Sequence, residues 1–119
     1  NGDDVIAELI DKGYVNVYFK FNSEEPSVYS LEAINYLVKY MNANTDANAT
    51  LVGYADEIGN EAYNQKLSEQ RAQKINDILV ASGVSASRLT VKGGGEDNSV
   101  DKSSKYARQL MRRVTFKLN

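Results

Sequence analysis

The chain has 119 residues and carries 14 Lys and Arg against 16 Asp and Glu, a net charge of −2. That length suits one domain with one core, and the near balance of charge argues against a dedicated nucleic-acid binder, which needs a strongly basic face. The absence of His and Cys excludes disulfide frameworks, thiolate nucleophiles, zinc ribbons, Ser-His-Asp triads and imidazole-ligated metals, while all-oxygen metal sites and carboxylate-only active sites stay open.

Asn1 to Gly13 reads as a short amphipathic helix. Val5, Ile6, Leu9 and Ile10 share a face, Asp3 and Asp4 sit where a helix N-terminus favours negative charge, and Gly13 is a stop. Tyr14 to Phe21 alternates with period two. Val15, Val17, Phe19 and Phe21 point one way, as in a strand with one face on the core. The polar run Asn22 to Pro26 ends it. From Val28 to Asn42 the period becomes helical through Leu31, Ile34, Leu37, Val38 and Met41, with Ser27 or Ser30 as cap. Ala49 to Ala55 is a second strand, with Asp56 following its C-terminal end. Asn60 caps a helix to about Ser82, with Tyr63, Leu67, Ile75, Ile78 and Leu79 as its buried stripe and Gly83 closing it. Arg88 to Lys92 is a third strand. Gly93 to Tyr106 is a polar excursion that turns helical near its end, and Arg112 to Leu118 is a fourth strand.

This order predicts an α/β two-layer sandwich, a four-stranded sheet with helices packed on one face. Two strand–helix–strand passages predict parallel pairs with right-handed crossovers. The last strand is free to run antiparallel, which makes the sheet mixed. No stretch approaches the ~20 apolar residues of a membrane span. The chain does not begin with Met and lacks a signal-peptide pattern, so it reads as a mature protein or a piece excised from a longer one.

The most informative residue is Arg71, one helical turn from both Leu67 and Ile75. It is either a solvated residue at the edge of the stripe or a guanidinium held inside for a purpose, which then needs an acceptor. Helix side chains lean toward the helix N-terminus, so Arg71 leans toward the loop that carries Asp56. Asn64 lies on nearly the same face. Ligand sites of α/β folds favour the carboxyl ends of strands. Asp56 and Arg71 therefore form a candidate site for a zwitterion, one prong for an ammonium and one for a carboxylate. The same geometry also permits a structural salt bridge.

The run GYADEIGNEAYNQKLSEQRAQ, Gly53 to Gln73, resembles the signature of the OmpA-like C-terminal domain, the peptidoglycan-binding module of outer-membrane proteins, Pal lipoproteins and flagellar motor stators. The matching pieces are Gly53, Asp56, Gly59, Tyr63-Asn64, Leu67-Ser68 and Arg71-Ala72, then Gly83, Arg88-Leu89, Gly93, Gly95-Glu96 and Arg112-Arg113-Val114. VYFKFNS resembles the family's first strand. The runs GYVNVYF and GYADEIGN are most similar to periplasmic members of Bacteroides-type bacteria. The resemblance covers Tyr14 to Leu118, so residues 1–13 read as a helical lead-in and 14–119 as the domain. It implies a periplasmic, non-catalytic module that binds the stem peptide of peptidoglycan through meso-diaminopimelate, with no cofactor or metal. It also implies tethering to the outer membrane through an N-terminal anchor or barrel. Asp56 falls on the family's ammonium-binding Asp and Arg71 on its carboxylate-binding Arg. Asn64 and Asn22 are implied to line the site, and Arg112 or its neighbour Arg113 to support it. Three departures bear on affinity: Ala55 for the usual Thr, Met111 for the usual Asn, and Lys20 for a common acidic residue.

Other motifs are weaker. Gly93-Gly94-Gly95 fits neither phosphate-loop pattern and reads as a turn needing positive φ. Glu96, Asp97 and Asp101 lack the spacing of a calcium loop. Glu24-Glu25 and Asp56-Glu57 are adjacent pairs, which rarely flank a scissile bond. Two alternatives to wall binding stand beside it: a carboxylate-dependent wall hydrolase, and a structural or dimerisation module in which Asp56–Arg71 is a salt bridge.

Overall fold

The computed structural model describes residues 2–12, 15–57, 60–97 and 105–119. The Gly13 stop, Tyr14, Gly59 and Asp101 lie outside the described residues. In chain order the elements are α1 (Gly2–Asp11), β1 (Asn16–Tyr18), α2 (Leu31–Ala43), β2 (Ala49–Gly53), α3 (Glu61–Ala81), β3 (Leu89–Gly93), α4 (Lys105–Met111) and β4 (Arg113–Leu118). Short 3-10 turns precede α2 and β3.

The sheet has four strands in the order β1-β4-β2-β3. β2 and β3 pair in parallel, as the strand–helix–strand passage through α3 requires. The first passage differs from expectation. β1 does not pair with β2, because β4 inserts between them and runs antiparallel to both. The sheet is therefore mixed, and the last strand of the chain lies at its centre. β1 is also shorter than the alternation predicts. After a single bridge at Phe19, the chain turns at Phe21, which is 57% exposed rather than inward.

The core joins one sheet face to the helices. Val17, Leu51, Val114 and Phe116 meet Ile34, Leu37 and Met41 of α2 and Ala72, Ile75 and Leu79 of α3, with Ile10 of α1 in the same cluster. Tyr63, expected in the buried stripe, is 40% exposed; the buried positions of α3 toward its start are Asn64, Leu67 and Ser68. α3 sits close on the sheet because Gly53 has no side chain: a Cβ there would lie 1.9 Å from the Ser68 carbonyl oxygen.

Both ends of α3 are built as the sequence predicts. Asn60 Oδ1 accepts from the Tyr63 amide at 2.8 Å, satisfying one of the orphan donors of the first turn. At the other end Gly83 takes φ +102°, and Val84 and Gly83 donate to the carbonyls of Leu79 and Val80, the two bonds of a Schellman stop. Neither Ser27 nor Ser30 caps the α2 region through its side chain. Ser30 Oγ instead accepts from the Tyr18 amide and ties β1 to the following turn.

Candidate functional site

The site forms where three segments converge at the carboxyl end of β2. They are the loop after β1 (20–25), the extended run Tyr54–Glu57 after β2, and the first half of α3. The run continues the alternation of its strand. Leu51, Gly53, Ala55 and Glu57 are buried, while Val52, Tyr54 and Asp56 are half-buried. Successive side chains of an extended chain face opposite ways, so Glu57 points inward with Leu51 and Ala55, and Asp56 does not.

This alternation corrects the expected pairing. Arg71 is buried, with no side-chain exposure, and the carboxylate in its fork belongs to Glu57, which is equally enclosed. The two guanidinium terminal nitrogens meet Glu57 Oε1 at 3.0 Å and Oε2 at 2.5 Å, the bidentate geometry that Arg makes and Lys does not. The reading of a structural Asp56–Arg71 salt bridge is thus overturned in its choice of carboxylate. Arg71 does lean toward the α3 N-terminus, as helix geometry requires, but the residue it meets there is Glu57.

The rest of the network is saturated. Arg71 Nε donates to the Ser23 carbonyl at 2.9 Å, Nη1 also to the Tyr54 carbonyl at 3.1 Å, and Nη2 also to the Lys20 carbonyl at 3.3 Å. All five donors of a guanidinium are then in use. The Phe19 ring lies 5.4 Å from its central carbon, in range for a cation–π contact. Glu57 accepts two further bonds, from the Asn22 amide at 2.6 Å and the Asp56 amide at 3.2 Å. A buried ion pair is tolerable only with such full satisfaction, because each charge has lost its hydration.

Asn64 is fully buried and holds the Glu57 backbone from both sides. Its Oδ1 accepts from the Glu57 amide at 3.1 Å, and its Nδ2 donates to the Glu57 carbonyl at 3.2 Å and to Glu96 Oε1 at 2.8 Å. It fixes the run and does not face solvent. Asn22 is exposed and sits at φ +54°, a left-handed conformation that Asn tolerates. That turn aims its amide at Glu57, and its Oδ1 accepts from the Tyr63 hydroxyl, which explains why Tyr63 stands outside the buried stripe. Asp56 is half-buried beside this network, and its Oδ2 has no access to solvent.

The two arginines at the start of β4 divide their work. Arg113 is tied into the scaffold. It pairs with Asp97 at 2.9 Å, donates to Thr115 Oγ1 and the Leu110 carbonyl, and lies 4.3 Å over the Tyr54 ring. Arg112 lies 5.7 Å over the exposed Phe21 ring, beside the loop after β1. Of the three family departures, Ala55 and Met111 are buried, and Lys20 makes an exposed pair with Glu25 at 3.3 Å while its carbonyl serves Arg71. Gly95 takes φ +66°, meeting the turn expectation for the glycine run. Among the described residues no group of three or more acidic side chains is placed to hold a metal ion.

The structure therefore brings Arg71, Asn64, Asn22 and Asp56 to one place, with Arg112 beside the same loop, and adds Glu57 as the residue that joins them.

Residues 18–113 match the model of the OmpA family. Outer membrane protein A of Klebsiella pneumoniae is 40% identical over 87 residues, which are 71% of this chain and 25% of that protein. Outer membrane porin F of Pseudomonas aeruginosa is 34% identical over 116 residues, 96% of this chain and 33% of that protein. The chain thus spans only a quarter to a third of these two relatives. The crystal structure of the peptidoglycan-associated lipoprotein from Burkholderia pseudomallei has the same fold, with a TM-score of 0.81 at 20% identity, over 87% of this chain and 89% of that one.

Proposed function

The chain belongs to the OmpA family, and from that premise we propose that it is a non-catalytic module that binds peptidoglycan and anchors an outer-membrane protein to the cell wall. Its ligand is the stem peptide, gripped at the free stereocentre of meso-diaminopimelate. Asp56 takes the ammonium and the Arg71 fork takes the carboxylate. Asn64 holds the run that presents Asp56, Asn22 borders the site on the facing loop, and Arg112 supports that loop from the start of β4. The module works in the periplasm, and the anchor belongs to the larger protein.

The observation that carries this reading is the convergence of the half-buried Asp56 carboxylate and the Arg71 guanidinium at one strand end, in a chain without His or Cys. A zwitterion needs one charge of each sign at fixed separation. The names of the relatives, outer membrane proteins and a peptidoglycan-associated lipoprotein, support the same setting. Affinity per site is modest, because both charges exchange existing partners on binding. Many stem peptides on one polymer compensate through multivalency.

Cosedimentation with purified sacculi tests the reading. Wild-type protein should pellet with the wall and release no soluble fragments. Protein that stays in the supernatant contradicts the proposal, and fragments released by protein but not by buffer point to the hydrolase instead.

A further inference from the structure

The Arg71 fork is occupied by a carboxylate of the domain itself, and that contact has a direct consequence for binding. Glu57 meets the guanidinium through both oxygens, in the arrangement a ligand carboxylate would need. Arg71 has no side-chain exposure, and no N–H of it is left over. A second carboxylate cannot enter without removing the first. The loop that covers the pair is held down by the same groups: the Lys20 and Ser23 carbonyls by Arg71, and the Asn22 amide by Glu57.

We propose that Glu57 is an internal surrogate for the ligand carboxylate, an autoinhibitory contact that closes the Arg71 fork in the empty domain and is displaced when stem peptide binds. This rests on the reading of Arg71 as the carboxylate receptor. The exchange replaces one bidentate carboxylate with another, so the buried guanidinium keeps its compensation throughout. Asn64 holds both the amide and the carbonyl of Glu57, so the movement belongs to the Glu57 side chain. The Asn22 and Asp56 amides lose their acceptor as it leaves, and loop 20–23 is released. Apparent affinity is reduced by the fraction of time the fork is closed. A single side chain thereby sets how tightly the domain holds the wall.

Two experiments test this. The first uses wild-type protein and amide hydrogen exchange, with a synthetic stem tripeptide ending in meso-diaminopimelate. At saturation the Asn22 and Asp56 amides should lose protection. With the tripeptide whose free-stereocentre carboxylate is amidated, they should keep it. Binding of the free-carboxylate peptide with both amides still protected overturns the surrogate role while leaving the binding reading intact. No binding of either peptide overturns both. The second experiment is calorimetry on Glu57→Gln, which keeps the size of the side chain and removes its charge. The surrogate role predicts at least about tenfold tighter binding of the free-carboxylate peptide, the gain expected when a closed state is depopulated. Unchanged or weaker binding by the folded variant would mean that Glu57 only positions Arg71.

Discussion

Two arginine–carboxylate pairs flank the same short run of chain, and Tyr54 touches both. Its carbonyl accepts from Arg71, and its ring lies under Arg113. The Arg71–Glu57 pair is sealed on both sides, whereas the Arg113–Asp97 side chains keep 18% and 14% of their exposure. Arg71 reaches carbonyls of two segments far apart in sequence, and Arg113 reaches mostly its own neighbourhood, Leu110 and Thr115. The same chemistry thus serves two ends. The enclosed pair locks two loops together and makes each partner depend on the other. The half-open pair braces one edge of the same run and leaves each charge some access to water.

Removing one enclosed partner should have the largest effect. Arg71→Ala strands the Glu57 carboxylate in the interior and should cost about 3–5 kcal/mol, read as a lower midpoint in urea unfolding. Arg71→Lys should recover only part of it, since an ammonium cannot make the two parallel bonds. A smaller loss is expected when both are replaced by apolar residues. Arg71→Met with Glu57→Leu removes both charges, so the double variant should be more stable than Arg71→Ala; a double variant as unstable as the single one would show that the carbonyl bonds, not the ion pair, hold the loops. Next comes Arg113→Ala, where a partly exposed pair and one ring contact are worth about 1 kcal/mol. A loss as large as that of Arg71→Ala would erase the contrast between the two pairs. The exposed Lys20–Glu25 pair closes the series. Lys20→Ala should leave the urea midpoint unchanged at any salt concentration.

The sequence carried the element order, both ends of α3 and the convergence of Arg71 with the strand-end loop, because these rest on local periodicity and capping. It did not carry the position of β4. Strand order depends on which edge the last strand finds, and no pattern within Arg113–Leu118 encodes that. β1 ended early because from Phe19 the chain bridges back to Pro26 of its own loop and turns at Asn22, although the apolar alternation runs on to Phe21. The partner of Arg71 was legible in principle. Extending the alternation of Leu51, Gly53 and Ala55 by one step puts Glu57 on the helix side and Asp56 on the other. Asn64 likewise fell on the right face, but its role as a clamp on the Glu57 backbone needs both backbone groups in place.

In the proposed clamp Asp56 and Arg71 grip opposite charges of one stereocentre, and Asp56 is the partner that can be changed without stranding the buried Arg71–Glu57 pair. Calorimetric titration of the wild type and Asp56→Asn with a stem tripeptide ending in meso-diaminopimelate tests it most directly. The wild type should bind and Asp56→Asn should not, with unfolding midpoints that stay alike. Equal affinity of the two proteins for the tripeptide would contradict it.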